Sequence, residues 1–209
     1  EENTREAIYD AMARRETWAT SGTRMVVRVF GGFDFANAKP GDKDWTRVGY
    51  KKGVPMGGDL RRASKGAAPQ LLIAASKDPN SGNLDRIQVV KGWVDAAGKT
   101  HDRIYDVAWS GNRRIGSDGK LPAVGNTVDV KNASYTNTIG SPELATVWKD
   151  PDFDPAVPAF YYVRVLEIPT PRWSTYDAKA LGIDPPKDFP ATIQERAWSS
   201  PIWYTPGGI

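Results

Sequence analysis

Chemistry in this chain has few residues to draw on. There is one histidine, His101, and no cysteine, so thiolate catalysis, disulfides, Cys-ligated zinc and a histidine-rich metal centre are excluded by count. A Ser-His-Asp triad would have to take His101 from a polar hairpin return, where a solvated side chain flanking a turn is the favoured reading. Asp150-Pro151-Asp152-Phe153-Asp154-Pro155 sets three carboxylates two apart, and hard cations such as calcium favour oxygen ligands of this kind. The same run also reads as an exposed loop of Asx turns with Asp150, Asp152 and Asp154 solvated, and that reading is preferred. Asp78-Pro79-Asn80-Ser81-Gly82-Asn83-Leu84-Asp85 misplaces its glycine for an EF-hand loop and reads as a turn. Gly53 to Asp59 lacks the Gly-Lys-Ser/Thr ending and following helix of a phosphate loop. Toward the end, Trp173, Tyr176, Trp198, Trp203 and Tyr204 accumulate. Of these, Trp173, Tyr176 and Trp198 are candidates for stacking on a sugar or another ligand, with burial in the core as the alternative.

These residues must be positioned by a chain of 209 residues, enough for one large domain or one domain with an appendage. A hydrophobic share of 40%, with 8 Trp, 8 Tyr and 6 Phe, argues against disorder. No apolar run approaches the roughly 20 residues of a membrane span. Lys and Arg number 28 against 25 Asp and Glu, a net charge of +3, so no basic block implies nucleic acid. The chain opens Glu1-Glu2-Asn3 and enters a helix almost at once. A helix with nothing before it to pack against predicts an upstream portion.

Asn3 and Glu6 have capping-box spacing, and Ala7, Ile8, Ala11 and Met12 recur at helical intervals before Arg14 and Arg15. After that amphipathic helix come β-rich runs at Thr17–Thr20 and Met25–Phe30. Gly31 to Ala68 reads as long loops around short edge strands, with Trp45–Tyr50 the one strand-like stretch. Gln70–Ser76 is a compact apolar strand, and Leu84–Val94 with Arg103–Ser110 forms a hairpin. Thr127–Val130 is a further strand candidate. Ala159–Ile168, apolar on both faces, belongs at the centre of a sheet. Glu143–Trp148 and Asp177–Leu181 are short helix candidates, and Pro201–Thr205 is a closing edge strand begun by proline. The pattern predicts a mainly β chain: an antiparallel β-sandwich-like domain preceded by one amphipathic helix and strand.

Several strings carry a resemblance. Glu2-Asn3-Thr4-Arg5-Glu6-Ala7-Ile8, Thr17-Trp18-Ala19-Thr20-Ser21-Gly22-Thr23-Arg24, Gly53 to Leu60, Leu84-Asp85-Arg86-Ile87-Gln88-Val89-Val90-Lys91-Gly92 and Glu195-Arg196-Ala197-Trp198-Ser199-Ser200-Pro201-Ile202-Trp203-Tyr204 together resemble the carboxy-terminal third of the bacterial domain-of-unknown-function family 3604 (DUF3604). That family resembles the polymerase-and-histidinol-phosphatase (PHP) superfamily, whose phosphoesterase domains hold divalent metals through His and Asp/Glu sets on a distorted (β/α) barrel. The resemblance implies that residues 1–30 end an upstream PHP-like domain, the partner of this chain, and that 31–209 form an appended β-sandwich. No histidine motif of the family matches here, so the resemblance implies a non-catalytic portion of a metal-dependent, phosphoesterase-like hydrolase. The divalent metal would belong to the parent protein and no cofactor to this chain. Basic loops carrying Arg61 and Arg62 would border the cleft and attract an anionic substrate. Family members look exported, which implies the periplasm or the cell exterior. The alternatives are an independent ligand- or carbohydrate-binding sandwich and a structural or interaction module.

Overall fold

The computed structural model describes residues 2–35, 37–60 and 67–207. In chain order its elements are α1 (Arg5–Ala13), β1 (Trp18–Thr20), β2 (Val26–Gly32), α2 (Trp45–Lys52), β3 (Gly53–Pro55), β4 (Asp59–Leu60), β5 (Gln70–Ser76), β6 (Leu84–Val94), β7 (Thr100–Trp109), β8 (Glu143–Lys149), β9 (Ala159–Glu167), β10 (Thr170–Pro171), α3 (Trp173–Leu181), β11 (Thr192–Ile193), β12 (Arg196–Ser199) and β13 (Ile202–Tyr204). The chain is mainly β, as expected, and its strands form a sandwich.

The smaller layer runs β3-β2-β5-β8, all antiparallel. The larger is centred on β9, which carries β6 and then β7 on one edge and β12 and β13 on the other. Alternation of side chains along each strand points one set inward. Val27, Val29, Leu71 and Ile73 from the small layer meet Ile87, Val89, Val163 and Val165 from the large one, all at most 2% exposed. At the junction of β12 and β13 the ladder along β9 breaks, and the Ser199 hydroxyl accepts the Val163 N–H at 3.0 Å.

The expected β6–β7 hairpin and the central place of β9 are both present. Other elements differ. Trp45–Tyr50 is helical, because Trp45, Val48 and Gly49 fall on one helix face. There the Phe30 ring meets Trp45 at 5.8 Å and Tyr50 at 4.9 Å. A side chain at Gly49 would overlap the Phe30 ring, so glycine permits that approach. Glu143–Trp148 is a strand rather than a helix. Its Leu144 and Trp148 pack on the main core while Val147 packs on the Phe30–Leu72 cluster, a two-faced use of alternate residues. Thr127–Val130 forms no strand and contributes only the bridge between Asp129 and Ser134. β13 is no edge either, since it pairs with β9 and, in parallel, with β4.

At the start of the chain, Thr4 rather than Asn3 caps α1, its hydroxyl accepting the Ala7 N–H at 3.2 Å. The helix buries no residue, and Ile8, Tyr9 and Met12 are exposed. It is tied to the sandwich by Arg15, which ion-pairs with Asp59 at 2.9 Å, and by a hydrogen bond from the Tyr50 hydroxyl to Glu16. β1 joins the large layer through β12, and β2 lies inside the small one. Residue 30, the expected end of an upstream domain, therefore falls within β2.

Candidate functional site

Two clefts of about 350 Å³ each lie at opposite ends of the paired strands β6 and β9. The one at the Glu167 end is built by α3. Pro171 and Arg172 lead into the helix in extended conformation, and two contacts seat it on the segment that leads into β11. Thr175 Oγ1 donates to the Ala191 carbonyl at 2.7 Å and Arg172 Nε to the Pro190 carbonyl at 3.1 Å. Three residues apart on the helix, Trp173 and Tyr176 share a side, with ring centres 5.6 Å apart. Trp173 is 71% exposed, an unusual place for so large an apolar ring. Facing the rings across the cleft are Thr23, Asp78, Ser81, Tyr135 and Glu195.

The carboxylates here are buried and held by neutral donors. Asp78, 8% exposed, accepts the Asn80 N–H at 2.9 Å and the Arg24 N–H at 2.7 Å. These two bonds, with smaller help from the Arg24 and Lys77 charges, hold its carboxyl below the ordinary range. Glu195, 6% exposed, accepts the Ser21 hydroxyl. Glu167 is fully buried and accepts Ser81 Oγ at 2.7 Å. Burial pushes the Glu167 carboxyl upward, the Ser81 and Thr23 hydroxyls draw it down, and the charges of Glu195 and Asp78 push it up again. Although close enough to interact, Thr23 Oγ1 and Glu167 Oε1 are buried without completing a hydrogen bond of good geometry. Among the described residues, no cationic side chain pairs with Asp78, Glu167 or Glu195. Lys77, next to Asp78, turns its ammonium to the Asp78, Pro79 and Ser81 carbonyls.

The cleft at the Ala159 end is aromatic and mostly apolar, lined by Trp93, His101, Phe160 and Trp203. Gly92 makes room for it, since a side chain there would overlap the Phe160 ring that covers it. His101 is not a solvated turn residue. It lies on β7, stacks on Trp93 at 5.2 Å with an interplanar angle of 15°, and hydrogen-bonds Asp95 through Nε2 at 2.8 Å. The His101 hydrogen bond, reinforced by the Lys99 and Ala97 N–H groups, holds the Asp95 carboxyl below its ordinary range.

The three aspartates of the 150–155 segment go separate ways. Asp150 is buried, accepting Lys91 Nζ and the Tyr161 hydroxyl, each at 2.7 Å. Asp152 accepts Arg103 Nη1 and the Tyr105 hydroxyl, each at 2.8 Å. Asp154 accepts the Ala156 N–H at 2.8 Å, an Asx-turn contact. Burial pushes up both phenols, Tyr105 and Tyr161, and the neighbouring Asp150 and Asp152 charges add to the shift. A divalent-metal centre does not fit this donor set: no three His, Asp or Glu side chains among the described residues converge on one point.

Of the stacking candidates, Trp173 and Tyr176 meet, whereas Trp198 lies on β12 opposite Ala19 and Arg164 and lines neither cleft. Trp203 belongs to the other cleft, and Tyr204 is core, its hydroxyl donating to the Pro155 carbonyl at 2.9 Å. Arg61 and Arg62 lie outside the described residues. Thr23, Tyr135 and Glu195 carried no sequence signal for a site. Asp78 and Ser81 were legible as a turn, which they form, but not as a cleft wall.

No curated protein and no solved structure matches this chain. The sequence model described as "Protein of unknown function (DUF3604)" matches residues 1–206, so the chain belongs to the DUF3604 family.

Proposed function

We propose that this chain is a ligand-binding β-sandwich whose binding site is the cleft at the Glu167 end, and that it serves as the non-catalytic carboxy-terminal portion of a PHP-like, metal-dependent hydrolase. The observation that carries the first half is the exposed Trp173 ring beside Tyr176, above walls that offer fixed carboxylate and hydroxyl oxygens. Aromatic faces supply contact area at low entropic cost, and a few oriented polar groups set direction, which is how small-molecule sites are built. The second half rests on the resemblance of the family to PHP phosphoesterases, in which metal-bound water is the nucleophile. On this reading the parent protein supplies the metals and is exported, and the sandwich holds the substrate or a related molecule nearby.

A panel of immobilised glycans and small metabolites tests the binding site. Capture by the wild-type chain is expected to be lost in Trp173→Ala and kept in Trp198→Ala, which touches neither cleft. A panel without any Trp173-dependent ligand would sink the stacking reading. For the accessory role, the complete protein carrying Trp173→Ala should show a raised KM with kcat unchanged in metal-dependent phosphoesterase assays. Metal-dependent turnover by this chain alone would overturn it.

A further inference from the structure

The acidic cleft departs from the rest of the molecule in how it treats buried charge. Elsewhere a buried carboxylate has a cation: Asp85 has Arg113 at 2.7 Å and Arg86 at 3.0 Å, and Asp150 has Lys91 at 2.7 Å. Glu167 is as deeply buried, Asp78 and Glu195 are 8% and 6% exposed, and none of the three forms an ion pair among the described residues, although the charges of Arg24 and Lys77 reach Asp78 from farther off. Removing such groups from water without a counter-charge is costly. The cost is offset in part by the backbone N–H groups at Asp78 and the hydroxyls at the other two. Beneath the cleft, Glu167 Oε1, an acceptor on a fully buried side chain, lacks a hydrogen-bond donor of good geometry. It sits beside two lining residues, Ser81 and Thr23. The walls thus present acceptors and negative charge, while the rim presents the faces of Trp173 and Tyr176.

Resting on the binding site proposed above, we infer that its ligand is an organic ammonium, with the charge held by Asp78 and Glu195 and the carbon frame laid on Trp173. An ammonium offers three donors and no acceptor, the complement of this wall. The negative face of an indole or phenol ring attracts the same cation. An anionic ligand would meet like charges, and a neutral polyol would leave the carboxylates unpaired. A bare divalent ion needs six or more oxygen ligands in one shell, which the described carboxylates do not form, and it would make no use of Trp173.

Paired probes differing only in charge test this: glucosamine against glucose, and putrescine against 1,4-butanediol. Binding to the wild-type chain is followed by NMR at the Trp173 indole N–H, identified by its loss in Trp173→Ala. Each amine should saturate that signal with a Kd at least about tenfold below that of its neutral counterpart, and should weaken as salt is raised. Glu195→Gln and, separately, Asp78→Asn should each cost the amines about tenfold and leave the neutral probes unchanged. Circular dichroism establishes that both variants fold, and Glu195→Gln decides alone if Asp78→Asn does not. Equal binding of charged and neutral partners overturns the charge assignment and leaves the stacking site standing. Amine affinity untouched by Glu195→Gln also overturns it, and so does the absence of any Trp173 shift with all four probes. The glycan and metabolite panel still judges the stacking site by itself.

Discussion

At the Ala159 end of β9, Asp150 is buried against the Lys91 ammonium and the Tyr161 hydroxyl. At the Glu167 end, three carboxylates are buried with only N–H and hydroxyl partners. The two ends belong to the same strand pair, which runs from Trp93 opposite Ala159 to Leu84 opposite Glu167 with one register shift between Leu84 and Arg86, a run of about 30 Å at about 3.3 Å per residue. One end uses charge to close the fold. Lys91 Nζ also donates to the Asp152 carbonyl at 2.8 Å, pinning the 150–154 loop to β6. The other end holds its carboxylates without an ion pair beside an exposed tryptophan, at a cost that falls on buried Glu167, and leaves a partner's place to be filled from outside. Burial of a carboxylate therefore carries opposite meanings at the two ends, and the contrast can be broken by mutation.

The largest effect is expected at Lys91. Lys91→Met leaves Asp150 as a lone buried charge and should cost about 3–5 kcal/mol, read as a lower urea midpoint with an unchanged m-value. A loss under about 1 kcal/mol would mean that Asp150 is satisfied without the ammonium. Next comes Gly92→Ala, whose methyl must displace the Phe160 ring. Overpacking of this kind costs about 1–3 kcal/mol, and the change should alter Trp203 fluorescence while sparing the Trp173 cleft.

At the acidic end the effect depends on pH. The Glu167 carboxyl is raised above its ordinary 4.5, chiefly by burial, so the folded state binds this proton more tightly than the unfolded chain. Its contribution to stability is full below 4.5 and declines as pH rises through the raised value. Glu167→Gln removes that decline, so the variant should gain on wild type as pH rises above 4.5 through the raised value. Asp78, whose carboxyl is lowered, slopes the opposite way and is present in both proteins. Parallel pH profiles would show that Glu167 carries no such burden. Smallest in stability is Trp173→Ala, expected within about 0.5 kcal/mol of wild type while abolishing ligand capture. Unfolding by a larger amount would make Trp173 a structural residue.

What the sequence made legible follows from range. The β6–β7 hairpin and central β9 rest on local alternation and on an apolar run with both faces filled, and both were readable. Glu143-Leu144-Ala145 begins like a helix, yet β5 offers seven residues of ladder to pair with, and tertiary pairing overrides such a propensity. Trp45–Tyr50 failed in the other direction, because nothing near it in sequence announces that Phe30 will lie against Gly49. In the cleft, Trp173 and Tyr176 were readable only as part of an aromatic accumulation, because the helix read from the sequence, Asp177–Leu181, begins after both, whereas α3 starts at Trp173. Thr23, Asp78, Tyr135 and Glu195 come from four separate stretches brought together by the two layers, and no local spacing relates them.

The pairing of β1 with β12 has a consequence in time. Thr17 Oγ1 lies 3.3 Å from Ser200 Oγ, its partner 183 positions later in the chain. At synthesis rates of about 5–20 residues per second, the first strand waits roughly 10 to 40 s for its neighbour. Glu195 lies five residues before Ser200 and meets Ser21 only after as long a wait. The acidic cleft thus forms only after residue 195 has been made, and occupancy by a ligand would distinguish chains that have passed that point from those that have not.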